Sequence, residues 1–311
     1  MFFGTNGLKG IIGIIFSAFI IGIIIYKTLK IVLKFSIETY DDFLNCIINS
    51  KNIFLKNFLR NIVNIFLLIT FYIMIAAFSA YLFQEFKISN ILGTMIAGTL
   101  CYIIFSKNIK NAVNISTILI PILIFFILIL SAKNIAFTNY RYGIEHMHVK
   151  NNTIINTILY SSYNSILLIP VLVTFRNYLK KRKQLFIIMI TNIIIIASIS
   201  ILILLMISQI HNLEIVEIPI IEIANNSGIL YRIFGGIFMI IAILTSILSA
   251  GYAILSNCAD NSRKYRVINI LMCTSSILIS NIGFSKLINI LYPIFGFLGI
   301  IQIIMIIKKK T

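Results

Sequence analysis

The chain alternates long apolar runs with short polar breaks, and the runs recur at bilayer length. Nine stand out: residues 10–32, 61–83, 88–105, 113–131, 153–175, 184–208, 229–255, 266–282 and 287–307. About 20 predominantly apolar residues make a helix that crosses the hydrocarbon core of a membrane. The pattern therefore predicts an all-α, polytopic integral membrane protein with about nine transmembrane helices. The polar positions inside the runs then become the informative ones, because lipid tolerates them only where protein or a water-filled cavity satisfies them.

The strongest interruption is Tyr160-Ser161-Ser162-Tyr163-Asn164, at the middle of the fifth run, with Pro170 following. In helical register Asn156, Tyr160, Tyr163 and Asn164 fall on one face, with Ser161, Ser162 and Ser165 beside them. Two readings stand. One is a polar seam between packed helices. The other is a helix that unwinds near the midplane and frees backbone groups to bind a solute or ion. A second polar spot lies in the seventh run, where Gly235-Gly236, Ala242, Thr245-Ser246 and Ser249-Ala250-Gly251 bring small residues together. Close helix packing accounts for them. Alternatively, the Thr245 and Ser246 hydroxyls offer hard oxygen ligands to a small cation.

Composition agrees with the pattern. Of 311 residues, 59% are hydrophobic and 11% charged, against about 25% charged in a soluble domain. The net charge of +17 raises nucleic-acid binding, but its distribution argues against it. If the loop with Arg176, Lys180, Lys181, Arg182 and Lys183 is cytoplasmic, alternate loops and the C-terminal tail share its side and hold nineteen of the 26 basic residues. That is the positive-inside rule, and it needs no nucleic acid. It predicts a cytoplasmic C-terminus and an outside N-terminus. With no signal ahead of the first run, an outside N-terminus is most simply repaired by one further helix before Met1.

Candidate chemistry is sparse. There is no HExxH, no GxSxG and no phosphate-cradling glycine loop, and no charged residue stands near the middle of a run, so no enzyme is expected. His146, His148 and His211 read as loop residues, and no metal or other cofactor is expected. Cys101 and Cys273 fall within spans and are expected to pack. Cys46 and Cys258 fall on the reducing side. Residues 36–60, with Asp41-Asp42, Ile48, Phe54, Leu55 and Arg60, read as an amphipathic interfacial helix or a plain connector. Residues 209–227, with Glu214, Glu217 and Glu222 among isoleucines, read as an outer gate dipping back toward the site or as an exposed acidic loop.

Several stretches, in this order, carry a resemblance: Phe2-Phe3-Gly4 with Gly10-Ile11-Ile12-Gly13; Met74-Ile75-Ala76-Ala77 running to Glu85-Phe86; Tyr160-Ser161-Ser162-Tyr163-Asn164 with Ile169-Pro170-Val171-Leu172; Glu217-Ile218-Pro219; Gly283-Phe284-Ser285; and Tyr292-Pro293-Ile294-Phe295-Gly296. Together they resemble the YkvI-type membrane proteins of Gram-positive bacteria, relatives of the amino acid–polyamine–organocation transporters. The resemblance implies a LeuT-like inverted-repeat bundle in a bacterial cell membrane, with residues 1–131 as an incomplete first repeat and 153–307 as the second. It implies that the fifth run is the broken helix of the second repeat, whose partner in the first repeat would precede Met1. Tyr160, Ser161, Ser162, Tyr163 and Asn164 would then line a substrate pocket, and Thr245 and Ser246 would hold a coupling cation, sodium in some relatives. The implied function is secondary transport of a small organic solute, an amino acid among the candidates, with Na+ or H+ coupling open. The alternatives are a receptor or scaffold on the same fold that does not transport, or an inactive truncated homologue.

Overall fold

The computed structural model of the protein describes residues 7–48, 53–106, 110–136, 153–174, 176, 179, 182–208, 218–255 and 263–309. The elements among them are eleven α-helices: α1 (Gly7–Phe35), α2 (Tyr40–Ile47), α3 (Ile53–Phe86), α4 (Asn90–Ser106), α5 (Lys110–Ala136), α6 (Thr153–Thr174), α7 (Arg182–Ile207), α8 (Pro219–Asn226), α9 (Ile229–Leu255), α10 (Arg263–Ser280) and α11 (Phe284–Lys308). His146, His148, His211, Cys258, Glu214 and Glu217 lie outside the described residues.

Each of the nine predicted spans falls on a helix. Six are long and apolar enough to cross a membrane: Gly10–Phe35, Ile53–Phe86, Thr153–Val173, Lys183–Ile207, Ile229–Leu255 and Phe284–Lys308. Helix α4 has 17 residues, about 26 Å at 1.5 Å per residue. Of α5, the stretch whose side chains are described, Ile120–Asn134, is apolar. Helix α10 opens with Arg263, Lys264 and Arg266 and carries a run of polar Thr274, Ser275 and Ser276. Large apolar side chains stay exposed on many helices, Phe16, Phe125, Ile187 and Leu278 among them, as the surface of a protein in lipid requires.

The amphipathic helix expected over residues 36–60 is shorter than its pattern. Thr39 starts α2 with a capping box: its hydroxyl accepts from the Asp42 amide at 3.1 Å, and Asp42 accepts from the Thr39 amide at 3.2 Å. The two bonds satisfy orphan donors of the first turn. The helix ends at Ile47, with Phe43 and Leu44 fully buried. Phe54, Leu55 and Arg60 belong instead to α3, a 34-residue helix whose first turns precede its apolar stretch.

Two compact units divide the chain. The first comprises residues 1–66, 144–204 and 290–311, and the second residues 67–143 and 205–289. In the first, α1 pairs closely with α6, and α2 also packs on α6. Its core joins Ile24, Ile31, Val32 and Phe43 to Ile169, Val173 and Ile306. Phe66 stacks on Phe295 with ring centres 4.0 Å apart. In the second, α9 packs on α5 and α8, and α10 packs on α4. Phe71, Tyr81, Phe105, Ile221, Ile247 and Met272 share its core. Cys101 and Cys273 are buried there, packing as expected.

Candidate functional site

Helix α6 runs without a break from Thr153 to Thr174, and Pro170 lies within it. The expected unwinding at Tyr160–Asn164 is therefore not found in this structure. The reason is local. Each polar side chain turns back onto its own helix: Thr157 to the Thr153 carbonyl at 2.8 Å, Ser161 to Thr157 at 2.8 Å, Ser162 to Ile158 at 2.7 Å, Asn164 to Tyr160 at 2.7 Å and Ser165 to Ser161 at 2.6 Å. These i to i−4 bonds satisfy the donors without opening the backbone. The hydroxyl oxygens keep lone pairs for a further partner.

The interruption serves three neighbours in the same unit. Toward α1 it forms a polar seam of small residues. Ser17, fully buried, donates to the Gly13 carbonyl at 2.8 Å and approaches the Thr157 carbonyl at 3.4 Å, while Thr157 and Ser161 reach back to the Gly13 and Ser17 carbonyls at 3.5 Å. Ser161 and Ser165 are fully buried. Toward α11 it meets glycine. A Cβ built on Gly296 would lie 3.0 Å from the Leu159 carbonyl oxygen, and one on Gly299 only 2.4 Å from the Ser162 oxygen. Glycine thus allows backbone to approach backbone.

The third neighbour is aromatic. Tyr163 stacks on Tyr292 of α11 with ring centres 4.6 Å apart, and Tyr160 meets Tyr163 edge-on at 5.5 Å. Tyr160 also packs against Ile14 and Leu204 and is a hydrogen-bond partner of Ser200 on α7. Asn164 partners the Tyr163 hydroxyl as well as the Tyr160 carbonyl. Of the five candidate residues, Tyr160, Tyr163 and Asn164 thus form one half-buried group with Tyr292, while Ser161 and Ser162 are buried in helix–helix contacts. Ser17, Tyr292 and Gly299 carried no role in the sequence reading. The four-residue spacing of Gly13 and Ser17, matching Thr157, Ser161 and Ser165, was the signal available for the first.

Thr245 and Ser246 belong to the second unit, on an unbroken α9. Both hydroxyls donate to the Ala242 carbonyl, at 3.0 and 2.9 Å. The small residues around them pack tightly: a Cβ on Gly235 would sit 2.7 Å from the Ala224 Cβ, and one on Gly236 would sit 2.5 Å from the Tyr81 hydroxyl. Among the described residues no three His, Cys, Asp or Glu side chains gather in a metal-binding group.

The second unit also holds a charged corner where α8 meets α9. Glu85, whose side chain is 8% exposed, accepts from the Asn225 amide at 2.6 Å and from Arg232 at 3.1 Å. Gly228, with φ of +118°, makes the turn between α8 and α9, a backbone region that favours glycine. From α5, Lys133 donates to the Ser227 carbonyl and sits over the Tyr231 ring, and Asn134 bonds the Ser227 hydroxyl. Helix α8 itself buries Ile221, Ile223 and Ala224, with Ile218 just before it. Ile220 is half-buried, and α8 packs on α9.

No family model matches the chain, and no solved structure matches it. A protein of Bacillus subtilis (strain 168) described as "Uncharacterized membrane protein YkvI" is 24% identical over 328 aligned positions, which take in the whole of this chain and 89% of that relative. The likeness runs from end to end and supports placing this multi-helix chain with the YkvI-type membrane proteins.

Proposed function

We propose that this chain is a secondary transporter of a small organic solute, an amino acid foremost, in a bacterial cell membrane with the C-terminus in the cytoplasm. The observation that carries the reading is the group of Tyr160, Tyr163, Asn164 and Tyr292 on helices of membrane length. A binding site in a membrane protein pairs apolar or aromatic walls with a few polar groups that fix orientation, and this group has both. Ser161 and Ser162 shape the backbone behind it. The LeuT-like inverted repeat and a cation held by Thr245 and Ser246 belong to the same proposal. Their donated protons face Ala242, so their lone pairs remain for a cation.

The unbroken α6 favours a second reading: a receptor on the same framework that binds solute without moving it. The two separate in proteoliposomes. A transporter accumulates a labelled amino-acid mixture under an imposed Na+ or H+ gradient. A receptor binds and does not accumulate. Absence of both binding and accumulation for every amino acid and small organic acid tried would overturn the solute site.

A further inference from the structure

The corner where α3 meets α8 and α9 is built around one acid. Glu85 gives one carboxylate oxygen to each neighbouring helix. Its Oε1 accepts from the Asn225 amide nitrogen of α8 at 2.6 Å, and its Oε2 accepts from Nε of Arg232 on α9 at 3.1 Å. The ion pair is lopsided: the Glu85 side chain is nearly buried, while that of Arg232 is more than half exposed.

Asn225 leaves half of its amide unused. The nitrogen donates to Glu85, but Oδ1 is buried and has no hydrogen-bond partner among the described residues. A buried acceptor without a donor costs free energy and is rare in folded proteins. Ionised Glu85 has nothing to offer it, because a carboxylate only accepts. A protonated carboxyl accepts at one oxygen and donates from the other. A primary amide is its complement, and the two close a ring of two hydrogen bonds. Half of that ring, Nδ2–H to Oε1, is already in place. The other half needs a proton on Oε2, the oxygen that Arg232 now holds.

The other charged and titratable groups around the corner leave this exchange to Arg232. On α3, Tyr81 lies near both Glu85 and Arg232, and Lys87 turns to the Gln84 carbonyl and the Phe83 ring. On α8, Glu222 stands one turn ahead of Asn225. From α5, Lys133 is committed to the Ser227 carbonyl and to the ring of Tyr231 on α9. Among the described residues Arg232 is the cation paired with Glu85. Its release costs little, because a guanidinium already half in solvent gains water as it loses the acid.

We propose that Glu85 is a proton-binding site that exchanges Arg232 for Asn225 as its partner. The proton comes from the surrounding water and attaches to Oε2. The bond from Arg232 Nε to Oε2 breaks, a bond from Oε2–H to Asn225 Oδ1 forms, and the bond from Nδ2 to Oε1 stays. The corner gains one positive charge, carried by the hydrated Arg232. Glu85 thus ties α3 to α8 in both states and to α9 only when ionised: a latch that acid opens. It lies wholly within the second unit and stands whether or not the chain moves a solute.

The test is thermal unfolding of the whole protein in mild detergent, at neutral pH and at about pH 4, where an ordinary glutamate takes up a proton. Arg232→Gln should lower the melting temperature by about 1–3 °C at neutral pH and leave it unchanged in acid. Asn225→Leu should lower it at both. In a Glu85→Gln background, where the side chain cannot ionise, Arg232→Gln should cost nothing at either pH. Infrared difference spectra between the two conditions should show a protonated-carboxyl band that Glu85→Gln lacks. Should Asn225→Leu fail to fold, the arginine variants and the infrared band still decide. An equal cost of Arg232→Gln at both pH values, no cost of Asn225→Leu in acid, or a carboxyl band undiminished in Glu85→Gln would overturn the assignment.

Discussion

Gly299 of α11 lies against the Ser162 carbonyl of α6 so closely that a Cβ would stand 2.4 Å from the oxygen and 2.8 Å from its carbon. The obstruction is backbone, which has no rotamer to change. Gly299→Ala should therefore destabilise the protein by about 1–3 kcal/mol, the range for overpacking a fitted contact. Gly22 offers the contrast. Its Cβ would meet Ile193 at 2.4 Å, but at Cγ1 and Cδ1 of a side chain that can turn. Gly22→Ala should cost less than Gly299→Ala in thermal unfolding in detergent. The reverse order would mean that α6 and α11 yield to each other.

The α1–α6 seam makes a second prediction. Ser17 is fully buried, and its hydroxyl bonds mainly to Gly13 in its own helix. Ser17→Ala removes a bond worth about 0.6 kcal/mol on average in a membrane protein and leaves the packing intact. Ser17→Leu has no room and should cost several times more. Equal stability of the two variants would show that the helices are not in close contact there.

How much of this was legible beforehand follows from the same residues. The polar break at Tyr160–Asn164 is visible because polar groups are rare in an apolar run, and the helices are visible because burial in lipid writes itself as length. What the break does is not visible. Whether Ser161 opens the backbone or turns back on Thr157 depends on what packs behind it, and that is Ser17, 144 positions away. Tyr292 was read as part of a motif, yet its stack on Tyr163 joins helices far apart in the chain. Periodicity gives which face of a helix is polar, not which helix meets it. The short α2 shows the complementary case. Its pattern ran on to Arg60, but the helix stopped at Ile47 and the rest joined α3.

At the α8–α9 corner the effects of removing charge should be unequal. Glu85 is nearly buried and holds both Asn225 and Arg232, whereas the Arg232 side chain is 56% exposed. Glu85→Ala strands the Asn225 amide and should cost about 1–3 kcal/mol. Arg232→Ala removes a half-solvated partner and should cost at most about 1 kcal/mol. A double-mutant cycle measured by thermal unfolding checks this. A larger loss from the arginine variant would mean that Glu85 depends on it for burial.

Within the aromatic group, Tyr163→Phe keeps the stack on Tyr292 and loses only the hydroxyl that Asn164 partners. Tyr163→Ala loses the stack as well, an interaction worth about 0.5–1.5 kcal/mol beyond burial. If the group binds solute, Tyr163→Phe should bind an amino-acid mixture within a few-fold of wild type. Tyr163→Ala should bind it at least tenfold more weakly. Equal affinities in equilibrium dialysis would remove the ring from the site.

The most direct measurement is uptake of a radiolabelled amino-acid mixture into proteoliposomes carrying wild type, Asn164→Ala or Ser162→Ala at matched protein levels. The transporter reading predicts accumulation by wild type, a loss of at least tenfold in Asn164→Ala and nearly unchanged uptake in Ser162→Ala, whose lost hydroxyl turns back on Ile158, with each variant still folded by its melting temperature. Uptake kinetics unchanged in Asn164→Ala would contradict a solute site at this interruption of α6.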